Sequence, residues 1–372
     1  MTQDVHRPAA TTKRHALARA RKTAGLTQER LAEVLGVERS TVVRWEAGTS
    51  EPQPWLWPKL GRALGVSRTQ LAPLLVSVTP PTAASIEELR DAVTELGMEY
   101  DRAPSTALLA AAGSHLAQIA SIRDRAADGT ERELGSIEAE AATLMGQLVW
   151  DASQRRDHRT ANVYYKRAIE ASRRFGDPAP EADALLRSCF VALYGEQDPL
   201  TALMMAERAV RLVSAGNDVL RGRAYLHVAE AQAMLGDERE CEQALAAAAR
   251  FTQPGTDGAA QPSFDRLAGS CYLSLGRYVP ASAALERATT GLRDRPKSRA
   301  IALGNLALVH IRQSRLDGAV STLHEAIDVV ERTRGGGGMS VIFRAGRELG
   351  CWRSEPAVRI VQDRMFALVA AG

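Results

Sequence analysis

A pair of small residues seven positions apart recurs along most of the chain: Ala161/Ala168, Ala202/Ala209, Cys241/Ala248, Ala281/Ala288 and Ala319/Ala326. Successive pairs lie 41, 39, 40 and 38 residues apart. Seven residues make about two helical turns, so each pair shares one face of a helix, and small side chains there let a partner helix come close. The turns between helices recur as well, as Leu235-Gly236-Asp237 and Leu275-Gly276-Arg277. One hairpin of this size cannot bury its own apolar face, so successive hairpins must stack and share a continuous core. Composition agrees. Aromatic residues are only 5% of the chain, and Ala, Leu and Arg, good helix formers, are abundant. Such side chains suit close helix packing better than a β-sandwich. The expected fold class is therefore all-α.

The string AIALGNLALVHIRQSRLDGAVSTLHEAIDVV, residues 300–330, resembles a tetratricopeptide (TPR) repeat. Leu306 and Ala307 stand in its first helix, and Ala319, Leu323 and Ala326 in its second. The period exceeds the ~34 residues usual for that repeat, and its aromatic positions are mostly lost, so the repeats are TPR-like. The reading is an α-solenoid from about residue 136. Helices over 86–98, with Ile86, Leu89, Val93 and Leu96 at helical spacing, over 105–126 and over 131–154 precede or open it. Residues 334–338, RGGGG, read as a flexible break. A last helical pair is expected over 339–370, as a cap or dimer element. The GxxxG spacing of Gly346 and Gly350 reads as chance.

Ahead of the repeats the charge changes sign. Residues 1–76 hold 12 Lys/Arg against 6 Asp/Glu, and the remainder holds 35 against 38. A basic unit on an acidic body points to a polyanionic partner for the first part only. Five short helices are expected here. The first runs from about His15 to Thr23 and ends at Gly25. Thr27 caps the second, which Gly36 ends. The third runs over about Glu38–Ala47, the fourth from about Trp55 to Leu64, and the fifth from about Arg68 to Leu75.

The string GLTQERLAEVLGVERSTVVRWEAG, residues 25–48, closely resembles the helix-turn-helix of phage-repressor-like (Cro/C1, XRE) regulators, and ALGVSRTQL, residues 63–71, matches that family's closing helices. Leu26, Leu31, Leu35, Val37, Val42 and Leu60 fall at its core positions, Ala32 at the helix crossing and Gly36 at the tight turn. The resemblance implies that the third helix enters the major groove of double-stranded DNA. Carried over by position, the base-facing residues are Arg39, Ser40, Val43 and Arg44. Arginine can bond guanine through two hydrogen bonds, and Val43 can meet a thymine methyl. Phosphate contacts are expected from Thr27, Gln28, Thr41, Arg21 and Lys22. Glu38 has two readings, as acceptor from a cytosine amine or as a carboxylate favouring the positive helix end. Trp45 reads as core and Glu46 as structural. Relatives of this kind bind as dimers on spaced half-sites, so a homodimer is implied.

Residues 1–12 are expected to form a disordered arm, 13–76 the DNA-binding domain, 77–85 a Pro/Ser/Thr-rich linker and 86–372 the repeat domain. No apolar run reaches the length of a membrane helix, and the first fifteen residues hold no apolar segment of a secretory signal. Cys189, Cys241, Cys271 and Cys351 form no CxxC pair and read as reduced, mostly buried residues in a cytoplasmic protein. No catalytic constellation, metal-ligand spacing or cofactor motif is present, so no enzyme, metal or cofactor is expected. The concave face of a solenoid is the better place for a binding site. Asn305 stands where peptide-binding TPR repeats carry an Asn, and Arg187, Tyr225, His227 and Glu230 are further candidates for that surface. The two resemblances together are similar to peptide-responsive regulators of Gram-positive bacteria and to actinobacterial regulators of the same layout. They imply a bacterial, dimeric transcription regulator with a peptide or small-molecule effector. An adaptor whose repeats hold a partner protein is the alternative.

Overall fold

A computed structural model describes residues 14–75, 83–124, 130–213, 217–251 and 260–370. The arm expected at 1–12, and residues 77–82 of the expected linker, lie outside the described residues. Among the described residues every regular element is helical and none is a strand. The chain divides into two compact units, Met1–Ile86 with Ser121–Glu131, and Glu87–Ala120 with Arg132–Gly372.

The first unit contains α1 (His15–Thr23), α2 (Gln28–Leu35), α3 (Arg39–Glu46), α4 (Trp57–Leu64) and α5 (Arg68–Leu75). The Thr27 hydroxyl accepts from the Arg30 amide and opens α2. Gly36 closes it in the left-handed region, at φ +74, where a side chain would strain the backbone. The helix expected to start near Trp55 begins instead as a 3-10 turn over Pro54–Leu56, and regular helix starts at Trp57. Proline at the second position of α4 costs nothing, since its missing N–H would have had no intrahelical partner. Leu17, Leu31, Leu35, Val42, Trp45, Leu60 and Leu71 form the core. Leu26 and Val37 pack against it partly buried.

The second unit is built from α6 (Ala83–Glu99), α7 (Ser105–Arg123), and six hairpins. Helix α6 starts inside the span expected as linker. The hairpins are α8 (Glu131–Ala152) with α9 (His158–Phe175), α10 (Pro178–Val191) with α11 (Pro199–Leu212), α12 (Asp218–Leu235) with α13 (Glu238–Ala249), α14 (Ala260–Ser274) with α15 (Tyr278–Gly291), α16 (Pro296–Arg312) with α17 (Leu316–Thr333), and α18 (Gly336–Glu348) with α19 (Pro356–Ala370). Helix starts are marked by short polar caps. Asp157, Asp177, Asp198, Asn217 and Asp237 each accept from an amide two or three residues on. All ten residues of the small pairs are 0% exposed, on α9, α11, α13, α15 and α17. The repeat therefore has the cause expected of it: close approach of each second helix to its neighbours.

The RGGGG segment is not a flexible break. Gly336, Gly337 and Gly338 are buried in the first turn of α18. A Cβ on Gly336 would lie 2.3 Å from the Asp151 carbonyl oxygen, and one on Gly338 would lie 2.8 Å from Ala300 Cβ and 2.9 Å from Val330 Cγ2. The glycines are there for close approach. Nearby, Lys297 Nζ lies 3.0 Å from Asp151 and donates to Ser105 Oγ at 2.8 Å, and Ser105 Oγ donates to Asp151 at 2.7 Å. All three side chains are buried. Gly346 of the GxxxG spacing packs against Met365, whereas Gly350 faces open space. Cys189, Cys241 and Cys271 are free and buried, and Cys351 is free and exposed.

Candidate nucleic-acid interface and ligand cavity

Helix α3 buries Val42 and Trp45 and turns Arg39, Ser40, Val43 and Arg44 outward. Helical spacing puts positions 42 and 45 on the core face and 40, 43 and 44 away from it, and Arg39, three residues before Val42, lies at the edge of that face and is exposed. Val43 is 39% exposed on a helix whose other large apolar residues are buried. Arg39 pairs with Glu29 across the turn, and Arg44 Nη2 lies 3.3 Å from Thr41 Oγ1. Both guanidinium groups are at the surface, where such contacts exchange readily with a stronger acceptor. Glu38 precedes α3 without capping it and accepts from the Ser40 hydroxyl at 3.0 Å.

Thr27 and Lys22 are exposed, and Gln28 and Thr41 are half-buried. Arg21 departs from the exposure expected of a phosphate contact. Its side chain is buried, with Nε 2.7 Å and Nη2 3.3 Å from the two Glu46 carboxylate oxygens and Nη1 2.7 Å from the Leu26 carbonyl. Gln28 Nε2 donates to the same carboxylate at 2.7 Å. Arg21 thus ties α1 to α3, and its charge is spent inside the domain. Arg14, which sequence reasoning did not single out, is also buried and donates to the Trp45 carbonyl at 3.0 Å and to Glu51 at 2.9 Å. A basic residue just before a helix gives no signal of such a clamp.

Residues 17–71 match the family model described as Helix-turn-helix. Residues 17–71 are a helix-turn-helix domain. No curated protein matches the chain. Several solved structures are similar. One is PlcR of Bacillus thuringiensis in complex with the peptide PapR7 and DNA, at 12% identity over 76% of this chain and 95% of that one, with a TM-score of 0.40. A Rap protein complexed with competence and sporulation factor is 11% identical over 77% of this chain and 98% of that one, TM-score 0.47. The apo competence regulator ComR from Streptococcus vestibularis is 12% identical over 78% and 97%, TM-score 0.34.

The repeat unit contains a cavity of about 470 Å³. It is lined by the first helices of successive hairpins, α8, α10, α12 and α14, by the start of α16, and by Val93, Thr94 and Gly97 of α6. Of the five residues expected on a binding surface, Arg187 and His227 line it. Glu230 lies behind His227, with Oε2 3.0 Å from Nδ1, and accepts from the Tyr194 hydroxyl at 2.6 Å. A turn of π-helix over Ala192–Glu196 carries Tyr194. Tyr225 is not on the lining; its ring stacks on Phe251 with centroids 6.1 Å apart. Asn305 is buried within α16 and is also off the lining. The consensus position therefore does not reach the cavity in this chain.

Charge dominates the cavity wall. Asp183 takes Arg223 at 2.7 Å and Arg187 at 3.8 Å, and Asp101 takes Arg295 at 3.0 Å. Burial opposes the charge on Asp183, but the two arginines outweigh it and hold the carboxyl below the usual range. Burial pushes Glu140 up and His227 down, in spite of Arg90 beside the one and Glu230 beside the other. Only the Asp183–Arg187 spacing was readable from the sequence, as an i,i+4 pair. The rest comes together from different hairpins. Among the described residues no group of His, Cys, Asp or Glu is arranged to hold a metal ion, and no described helix is long and apolar enough to cross a membrane.

Proposed function

We propose that this chain is a cytoplasmic, sequence-specific DNA-binding transcription regulator that acts as a homodimer, and that a peptide or small molecule held by its repeat domain sets its affinity for DNA. Residues 13–76 are the DNA-binding part; residues 86–372 dimerise and sense. The observation that carries the reading is the outward face of α3, where two arginines, a serine and an exposed valine stand together on a helix otherwise fixed to a core. Arg39 and Arg44 read base edges, Ser40 and Val43 complete the contact, and Thr27, Gln28, Thr41 and Lys22 hold the phosphates. A single recognition helix reads few base pairs, so two copies on half-sites ~34–36 Å apart supply the specificity. The cavity supports the sensing role. It is lined by several repeats, and α6, the first helix after the DNA-binding domain in the chain, forms part of its wall. A ligand that favours one arrangement of that wall changes the DNA-binding equilibrium by its differential affinity for the two.

The test is fluorescence anisotropy of the full chain on DNA from its own upstream region and on scrambled DNA, at two salt concentrations. Selective binding that persists at physiological salt supports the reading. Equal binding that collapses with salt is counterion release and rejects sequence recognition on that DNA.

A further inference from the structure

One arginine of the cavity wall takes no part in the ion pairs formed there. Four arginines line it, Arg187, Arg223, Arg266 and Arg295, against three carboxylates, Asp101, Glu140 and Asp183. Asp183 holds Arg187 and Arg223, Asp101 holds Arg295, and Glu140 faces Arg90 at 3.8 Å. Arg266, on α14, has neither an ion pair nor a hydrogen bond among the described residues. Glu230 is the carboxylate whose field acts on Arg266 most strongly, but the two form no ion pair within 4 Å, and Glu230 accepts from the Tyr194 hydroxyl at 2.6 Å. Arg266 is half-buried in the wall, where a charge without a direct partner is less well solvated than at an open surface. Its planar fork of donors matches a carboxylate or a phosphate. Beside it the wall is apolar: Leu267 follows it on α14, and Phe190 packs edge-on against His227 at 4.5 Å between ring centroids. A volume of about 470 Å³ suits a small molecule.

We propose that this cavity binds a small organic anion, a carboxylate or phosphate on an apolar body, with the head group on Arg266 and the body along Phe190, Leu226 and Leu267. The inference rests on the reading of the cavity as the effector site and gives that effector its chemistry. Burial lowers the pKa of His227, and Arg266, which has no ion pair, is the charge that the head group answers.

The experiment uses the full chain with three probes of one shape: benzoate, phenyl phosphate and the uncharged benzamide. Melting temperature and calorimetric titration are the readouts. Benzoate or phenyl phosphate should raise the melting temperature where benzamide does not, and the better of the two identifies the head group. Arg266→Gln should weaken that binding by about tenfold or more. Without probe, Arg266→Gln should melt no lower than the parent, because it removes a half-buried charge that no ion pair or hydrogen bond uses, so a loss of binding cannot be laid to misfolding. Arg266→Lys should keep part of the affinity. Equal stabilisation by benzamide, undiminished binding by Arg266→Gln, or no binding of either anion at millimolar concentration would overturn the proposal. Anisotropy on DNA with the anion bound tests the regulatory reading separately. An anion bound through Arg266 that leaves DNA affinity unchanged upholds this site and removes its role as effector site.

Discussion

Replacing Glu46 by alanine tests the internal logic of the DNA-binding domain. The Glu46 and Arg21 side chains are 10% and 8% exposed, and the guanidinium donates to both carboxylate oxygens. Glu46→Ala strands a desolvated arginine whose remaining acceptor is the Leu26 carbonyl, 2.7 Å away. Breaking a buried pair by removing one partner costs ~3–5 kcal/mol, and the surviving bond places this case at the low end, about 3 kcal/mol. A domain of about 60 residues has a total stability of roughly 3–9 kcal/mol, so the substitution removes between a third and all of it. Hydrogen exchange of the full chain, read on peptides from α1, α2 and α3, should show the slowest amides exchanging about 100-fold faster. Arg21→Met combined with Glu46→Leu should recover most of the loss, since well-packed apolar residues replace a buried ion pair at little cost. The reasoning is refuted if Glu46→Ala changes stability by less than about 1 kcal/mol, the range of a surface ion pair, or if the double variant is no better than the single one.

Four further outcomes are expected. Arg39→Ala or Arg44→Ala should weaken specific DNA binding by ~1–3 kcal/mol and relax sequence preference, whereas Gln28→Ala should weaken binding to all sequences alike; anisotropy on matched and mismatched sites separates the two patterns. Lys297→Met should destabilise the repeat domain by about 3 kcal/mol, because Asp151 is left buried with no cation and only the Ser105 hydroxyl and the Gly337 amide as donors, and urea titration measures it. Gly338→Ala should lower stability by ~1–3 kcal/mol through overpacking against Ala300 and Val330; an unchanged melting temperature would mean that this turn is loose after all. His227 has a folded-state pKa depressed by burial below its ordinary 6.5, so the unfolded chain binds its proton first as pH falls. Its contribution is therefore full above about pH 6.5 and is lost on acidification below it. His227→Gln should flatten the fall in urea midpoint between about pH 7.5 and 5.5, with His310, also depressed by burial, accounting for part of what remains.

The two halves of the chain were legible for different reasons. In the first unit the signals are local. The cap at Thr27, the left-handed turn at Gly36 and the apolar spacing of Leu31, Leu35, Val42 and Trp45 act within a few residues of each other, so the sequence carries the helices, the core and the outward face of α3. Arg21 escaped because exposure depends on what α3 brings over α1, and the side chain alone reads as one more surface cation. In the repeats, the small pairs were legible because each marks a close approach that every hairpin makes in the same way.

The four glycines after Arg334 show where such reading stops. Flexibility and close approach ask for the same residue, and only the presence of Asp151, Ala300 and Val330 at those positions distinguishes them. Asn305 shows the same limit from the other side: a consensus residue faces a groove only if its helix is rotated that way, and here it is buried off the cavity. The sequence by itself determined an all-α chain, a helix-turn-helix and a stack of hairpins, because periodicity and capping are properties of neighbours along the chain. Tertiary structure alone decided which charges are spent and which are left over. Asp183, Arg223, Arg266, Asp101 and Arg295 come from separate stretches of sequence, and whether one arginine lacks a partner depends on distances that no spacing along the chain encodes.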